Sequence, residues 1–574
     1  RLLRFARNDT NLDSYDKNIG LNKMIKATQI FLAVWLVCNF SQIIYSKNDI
    51  RDKLNVEAKG FDKHIYLKWD ISKQNDELKG YNIYRSRFKD KGFEKINDKL
   101  KILNVYSDWI GKNNQKYYYQ IETVSKENTK YLSVVISAKT YSLSDDEFLT
   151  SVQEAAFHYF YEGAHPVSGL ARERYPWDYA CTTGGTGMGL MVIIVGVERG
   201  FITRKEGGKQ ALKILRFMSN NTQRYYGAWA HWLDGESGDT YAFAGNKLDN
   251  GGDIVETSYL MMGLLTAQQY FNADSVEEKE IQKIADALWK KNKTSVNWKW
   301  YLNKGNTLIW HWSKEYGWEI NLPVQGFNET MIVYLLAIAC PNEDYNIPVD
   351  CYKNGWALGG GDNYLNDKSY YGVKQYVSCF NHPVNAGMPL FWLHYSFMAF
   401  DPRGKNDGII PQGVSYFDVC RNISLIDNAY CSGKPHEGYS SLIWGLTAGY
   451  EPRKSYGDQF SLWGYGFHWS NSDNGTINPT GMISSIVYTP EKSIAGMRYL
   501  YDNYGDRLWG EFGFKDAFNL DVDWFSNGYL AINQAPIVMM IENYRTELIW
   551  KLFMSHPDIK NLLEKLRKTG WEIN

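Results

Sequence analysis

The sequence predicts a mainly α-helical protein, an (α/α)6 barrel preceded by a small all-β sandwich. Three observations predict it. From Ser144 onward, apolar residues recur at helical spacing in about twelve segments, mostly in pairs. The segments alternate in character. GMGLMVIIVG and ETSYLMMGLL are apolar on nearly every side, as inner helices are, whereas KEGGKQALKILRFM and EEKEIQKIADALW are amphipathic, as outer helices are. Ahead of them, residues 52 to 141 carry short runs rich in β-branched and aromatic residues, separated by charged turns.

At 574 residues the chain has room for more than one domain and a large core. A formal net charge of -1 favours neither nucleic acid nor an acidic membrane surface as partner. Aromatic residues make up 16% of the chain, with 21 Trp and 42 Tyr, which suits a long cleft that stacks the C–H faces of sugar rings.

Residues 1–23 are polar and charged without usable periodicity and read as a disordered upstream extension. At Met24 the pattern changes to MIKATQIFLAVWLVCNFSQIIYS, with Lys26 as a short basic region, Ile30 to Val37 as an apolar core and Ser46 as a small residue before cleavage. Residues 24–46 are therefore expected to be a secretory signal peptide, placing the protein in the periplasm or at the cell surface. The apolar core is too short for a transmembrane helix. A lipid anchor at Cys38 is not expected, because Trp35-Leu36-Val37 lacks the small residue such a site uses. The other six cysteines contain no C-x-x-C, which argues against a zinc ribbon or a thioredoxin-like site. Their spacing leaves two readings open: buried thiols, or short loops closed by Cys340/Cys351 and Cys420/Cys431.

The β-rich stretch contains VEAKGF, HIYLKWD, GYNIYRS, KYYYQIETVS and LSVVISAKT. Trp69 after HIYLK and the two Tyr-rich strands resemble a fibronectin type III sandwich over about ninety residues. No catalytic grouping stands out there, and a spacer or packing role is expected. Helices follow over residues 145–570. SDDEFLTSVQEAAFHYFYE has acids in its first turn. Later come NETMIVYLLAIAC, HEGYSSLIWGLTAGY, PEKSIAGMRYLYDNY, PIVMMIENYRTELIWKLFMS and PDIKNLLEKLRKT, with weaker helices near 385 to 425.

Chemistry concentrates in DNGGDIVETSYLMMGLL, Asp249 to Leu265. A turn-forming segment runs into an apolar helix, and Asp249, Asp253 and Glu256 sit at the junction. Asp253 and Glu256 are three apart and share a helix face. One reading is a capping-box variant at the positive end of a helix dipole. The other is an acid cluster at the floor of a cleft, and a capped helix end is a rigid place to hold it. Glu329 opens a second apolar run, NETMIVYLLAIA, in the same way. Glycoside hydrolysis needs an acid for the leaving oxygen and a base for water, and clustering carboxylates raises the pKa of one of them.

Residues 145 to about 570 resemble the glucoamylase-like family that contains the bacterial endo-β-1,2-glucanases, glycoside hydrolase family 144. The resemblance runs through TTGGTGMGL, GVERGFI, HWLDGESG, the acid stretch, FNETMIVYLLA, LHYSFMAFDPRG, DNAYC, WGLTAG, DNGTINPT, GFKDAFN and NQAPIVMMIENYRTELIWKLF. It implies an (α/α)6 barrel, export and hydrolysis of β-1,2-glucan with inversion, and its acidic site residues match Asp249, Asp253, Glu256 and Glu329. No cofactor or metal is expected; DNGT at 473 to 476 is only half a calcium loop. The expected partner is a β-glucan oligo- or polysaccharide, handled by a monomer without an integral membrane span.

Further candidates for substrate contact are Arg172, Arg174, Trp177 and Asp178 in the loop GLARERYPWDYACTTGG, and His231 and Asp234 in AWAHWLDGESG. His394 reads as a core residue, and Tyr544 and Arg545 lie on what reads as one long helix. Two alternatives stand beside hydrolysis: a transglycosylating or chain-length-controlling β-1,2-glucan domain, and a non-catalytic glucan-binding protein. The first would be accompanied by a glycosyltransferase segment, and the second would not need four acids kept together.

Overall fold

The computed structural model describes residues 54–70, 78–176, 180–242, 248–291, 293–359, 364–378, 386–453 and 462–573. The expected extension and signal peptide lie outside the described residues, as do Trp177, Asp178 and Cys379. The chain divides into two compact units. One takes residues 1–59, 67–104 and 116–139, and the other takes 60–66, 105–115 and 140–574.

The smaller unit is a small sheet region. Its central pair is antiparallel, Leu78–Ser86 on Lys116–Ser125, flanked by Glu94–Lys95, Lys130–Leu132 and Ile136–Lys139. Alternation along the two long strands sends Ile83, Tyr119 and Ile121 to full burial. Trp69 packs edge-on against Tyr81 at 5.1 Å.

The larger unit is mostly helical. Its principal helices are α1 (Asp145–Tyr161), α2 (Thr183–Glu198), α3 (Arg204–Asn220), α4 (Ile254–Tyr270), α5 (Val276–Lys290), α6 (Met331–Ala339), α7 (Tyr416–Ser432), α8 (Pro479–Ser484), α9 (Pro490–Leu508), α10 (Ala531–Thr546), α11 (Leu548–Ser555) and α12 (Pro557–Arg567). Hydrophobic pattern decides depth. In α2 every residue from Thr183 to Gly196 is buried, and α6 is buried throughout, so neither has a solvent face. On α5 only Glu278, Ile281, Ala285, Leu288 and Trp289 are buried, a single stripe. The deep helices α10, α2, α4 and α6 pack in succession, and α8 packs on α10 and on the 3-10 turn Leu390–Leu393. Around them α3 and α5 pack on each other and on α2 and α4 respectively, α12 packs on α6, α7 on the Leu390–Leu393 turn, and α9 on α8.

Caps set where the outer helices begin. Ser144 with Glu147, Thr203 with Glu206 and Ser415 with Asp418 form reciprocal boxes at α1, α3 and α7. At two places the chain departs from its expected elements. HEGYSSLIWGLTAGY is not a helix: Gly438 and Gly445 take φ of +86° and +122°, and Asp427 of α7 accepts the Gly445 and Leu446 amides, so turns lead into the strand Ala448–Arg453. The expected single helix from Pro536 onward starts earlier, at Ala531, and breaks at Glu547, whose φ is +62°. That break lets Arg403 reach Glu547 at 2.5 Å, while Arg545 pairs with Asp146 and Glu542 with Arg199. Cys181, Cys340, Cys351, Cys420 and Cys431 are buried free thiols.

Helices α2 and α4 meet backbone to backbone. A Cβ on Gly263 would overlap the Gly187 carbonyl, and one on Gly187 would overlap the backbone of Tyr259 and Leu260. An alanine in a helix ordinarily stabilises by about 0.5–1 kcal/mol over glycine. Here the sign is expected to reverse. Gly263→Ala must part the two helices, and overpacking of that kind costs about 1–3 kcal/mol, read as a lower urea midpoint at unchanged m.

Candidate active site

Two short ribbons and two helix N-termini assemble the site. Cys181–Thr182 pairs with Trp232–Leu233, which places His231 beside the start of α2, where the Thr183 amide donates to its carbonyl at 3.0 Å. Gly252–Asp253 pairs with His311–Trp312, placing Asp253 opposite His311 at the start of α4.

Asp253 is the N-cap of α4. Its Oδ1 accepts the Val255 and Glu256 amides at 2.8 and 2.9 Å, and its Oδ2 accepts the Trp310 indole N–H at 2.9 Å. Glu256 turns the other way, its Oε2 accepting the Gly184 amide at 2.8 Å and the Thr182 hydroxyl at 3.0 Å. The cap and the acid cluster are thus the same residues. Between them lies the His231 ring, stacked on Trp232 at 3.6 Å. Its Nε2 is 3.6 Å from Glu256, and its Nδ1 is 3.7 Å from Asp253 and 4.0 Å from Asp249. Asp249 also lies 3.5 Å from His311 Nε2, which accepts the Gly251 amide at 3.0 Å. Its side chain keeps 14% exposure against 3% for Asp253. Asp249 is therefore the more accessible of the two.

Glu329 sits in the turn before α6. Its backbone carbonyl accepts hydroxyls from Ser396 and Tyr259, and Ser396 Oγ in turn accepts the Ile332 amide. This ties the start of α6 to α4 and to the 394–400 segment.

Burial dominates the proton affinities. It pushes Asp253 up to about 7, with Glu256 and Asp249 adding to it and His231 opposing, and it raises Glu256 as well. Glu329 is pushed up to about 7, chiefly by burial and further by the charge of Glu256. For His231 burial works downward, but Glu256, Asp253, Glu173 and Asp249 outweigh it and the imidazole is raised. Burial lowers His311.

Other expected site residues fall in different places. Arg172 is buried, its Nε on the Gly163 carbonyl at 2.8 Å. Arg174 is buried over the Tyr450 ring at 5.6 Å, with Glu173 at 3.6 Å. Asp234 caps its own turn, accepting the Glu236 and Ser237 amides at 2.9 and 2.7 Å, so its carboxylate is held low by hydrogen bonds. His394 is a core residue on Ser485 at 3.1 Å, lowered to about 3 by burial. Asp473 of the DNGT turn is taken by the hydroxyls of Tyr430 and Tyr439 and by the Gly475 amide. Sequence reasoning missed His311, Trp310, Glu173 and Asp516. His311 carries a readable signal, a lone histidine within an aromatic run, but its partner lies about sixty residues away.

Enclosed carboxyls with raised proton affinities beside a more accessible one are the groups that acid–base hydrolysis calls for. The comparisons agree with that class. The family model described as "Putative glucoamylase" matches residues 321–557. The exo β-1,2-glucooligosaccharide sophorohydrolase (non-reducing end) of Parabacteroides distasonis is 41% identical over 534 residues, 89% of this chain and 70% of that protein. The crystal structure of a β-1,2-glucanase from Parabacteroides distasonis matches with a TM-score of 0.80 at 40% identity, covering 90% of this chain and 72% of that one. The endo-β-1,2-glucanase of Chitinophaga pinensis, in complex with sophorotriose and glucose, matches with a TM-score of 0.67 at 41% identity, covering 74% and 98%. The chain belongs to this glucoamylase-like family of glycoside hydrolases.

The raised Glu329 has a consequence for stability. An unfolded glutamate titrates near ~4.3, so the folded protein holds this proton more tightly. Its contribution is fully present below that value and lost as pH rises through about 7. Glu329→Gln is expected to flatten the fall in Tm between about pH 5 and 8 and to raise Tm at the alkaline end, measured by calorimetry across that range.

Proposed function

We propose that this protein hydrolyses β-1,2-glucan or its oligosaccharides with inversion of the anomeric centre. The observation that carries the reading is the grouping of Asp249, Asp253 and Glu256 around His231, with Glu329 raised to about 7 and near enough to feel the charge of Glu256. The relatives named for β-1,2-linked glucans support the substrate class.

Glu329 is assigned as the general acid. Protonated near neutrality, its carboxyl gives its proton to the glycosidic oxygen as the C1–O bond breaks. Asp249 is assigned as the base: it takes a proton from water while the water oxygen bonds to C1 from the opposite face, and the sum is one water consumed per linkage cleaved. Asp253 is less suited to that step because both its oxygens already accept hydrogen bonds. Glu256 and His231 hold the charge and geometry of the cluster. Such a pair requires carboxyls roughly 6.5–9.5 Å apart, leaving room for the water.

Finer features belong to the same proposal. The succession of buried helices, each with a more exposed neighbour, supports an (α/α)6 barrel, and the antiparallel strands around Trp69 and Tyr81 support a fibronectin type III-like sandwich. Export through the Met24 segment is proposed from sequence alone. Recovery of the intact segment on cytoplasmic protein would count against it.

Glu329→Gln and Asp249→Asn are each expected to cut turnover on linear β-1,2-glucan by about 10²–10⁴-fold. Asp253→Ala, by contrast, loses the cap and leaves the Trp310 N–H unpaired, which lowers Tm, with about 0.5–2 kcal/mol from the cap alone. Activity is expected to decline as pH rises through about 7, where Glu329 loses its proton. NMR of the first product should show the α-anomer at the new reducing end. A β-anomer, or full turnover by Glu329→Gln, overturns the assignment.

A further inference from the structure

Next to the acid cluster lies a second set of polar groups that the hydrolytic step does not use. Glu173 is 7% exposed, and its Oε2 has no hydrogen-bond partner among the described residues. Burying a carboxylate oxygen without a donor costs about 1–3 kcal/mol or more, so such an atom marks a place where a ligand supplies the donor. The chain holds it there firmly: the Glu173 amide donates to Ala180 at 2.8 Å, and its carbonyl accepts the Ala531 amide at 3.1 Å. Arg174 follows, its Nη2 3.6 Å from Glu173 Oε1 and its guanidinium over the Tyr450 ring.

Asp516 completes the back wall. Its Oδ1 accepts Asn533 Nδ2 at 2.7 Å, and its Oδ2 accepts the Tyr450 amide at 2.6 Å. The strand Leu462–Phe467 brings in Tyr465, whose hydroxyl feels the charges of Glu173, Asp516, Arg174 and Glu329 while the residue as a whole stays 41% exposed. Tyr465 also lines a cavity of ≈ 620 Å³ with Glu451, Phe467 and His468, within the ~300–1,000 Å³ of small-molecule pockets. Glu173 is hydrogen-bonded to Ala180, next to the Cys181–Thr182 ribbon whose Thr182 hydroxyl Glu256 accepts, and Arg174 lies over Tyr450, the cross-strand partner of Tyr465, so the two sets of groups adjoin.

We infer that Glu173, Arg174 and Tyr465 form a glucosyl-binding subsite adjoining the catalytic acids. Glu173 Oε2 accepts a sugar hydroxyl, Arg174 faces the neighbouring ring oxygens and hydroxyls, and the exposed Tyr465 ring stacks on the apolar face of the sugar. Glu173 is a binding residue here and takes no part in the proton transfers. The inference rests on the proposed glucan reading and deepens it by naming the groups that hold the sugar next to the bond cleaved.

The test uses the full chain and two variants. Glu173→Gln keeps the shape but weakens the acceptor, and Tyr465→Ala removes an exposed ring whose loss the core does not feel. Sophorose binding by calorimetry, and kcat and KM on β-1,2-gluco-oligosaccharides, are measured beside Tm. Both variants are expected to weaken sophorose binding and raise KM by about tenfold to a hundredfold, with kcat within a few-fold of the parent. Unchanged affinity and KM in both variants with Tm intact would overturn the subsite. A fall in kcat alone for Glu173→Gln would overturn its role as a binding residue and move it into the chemistry. If the parent binds no sophorose, the β-1,2 reading fails instead, and other gluco-disaccharides decide. A disaccharide bound by the parent and lost in both variants sustains the subsite, and binding of none overturns it.

Discussion

The contact on which the site depends is the one between Gly187 and Gly263, where helices α2 and α4 touch with no side chain between them. Any larger residue would hold the two axes apart. With the backbones in contact, the amide of Gly184 at the start of α2 comes within 2.8 Å of Glu256 on α4. One helix N-terminus thus donates to a carboxylate carried by the other, and both positive helix ends face the same group of acids. Glycine at Gly184 serves the same end, since a Cβ there would collide with the Glu256 carboxylate.

Gathering Asp249, Asp253 and Glu256 at one point is unfavourable in itself, because like charges repel and burial penalises each anion. The structure offsets this in three ways. Backbone amides at the two helix starts, an indole N–H and a threonine hydroxyl stabilise the ionised forms of Asp253 and Glu256. His231 lies 3.6–4.0 Å from all three acids and carries a raised proton affinity, so it supplies a countercharge. Asp253 moves to about 7, which lets the cluster hold a proton rather than a full complement of negative charge. Glu329 is likewise raised to about 7, chiefly by burial, with its own backbone amide opposing and the charge of Glu256 adding to it.

Much of this was legible in the sequence. The all-round apolar character of α2, α4 and α6 marked them as deep helices, and the single stripe on α3 and α5 marked them as outer ones, because burial acts locally and leaves a periodic record. The four acids were visible because each stands at the junction of a turn with an apolar helix. HEGYSSLIWGLTAGY misled because its apolar content suits a helix while two glycines at positive φ and the Asp427 carboxylate hold it in turns. The break at Glu547 was equally hidden, since no glycine or proline marks it and the long-range pair with Arg403 accompanies it.

The sequence by itself determined which acids stand at the starts of apolar helices and which helices lie deep, since both follow from residue type and short-range spacing. Only the tertiary structure decided which groups meet. His311 reaches Asp249 through a two-residue ribbon, His231 enters from a separate loop, and Glu173, Tyr465 and Asp516 converge from segments some 50 to 340 residues apart. Those meetings depend on strand register and on the closeness of two helices. They are set by packing over the whole helical unit, and no local window of sequence contains them.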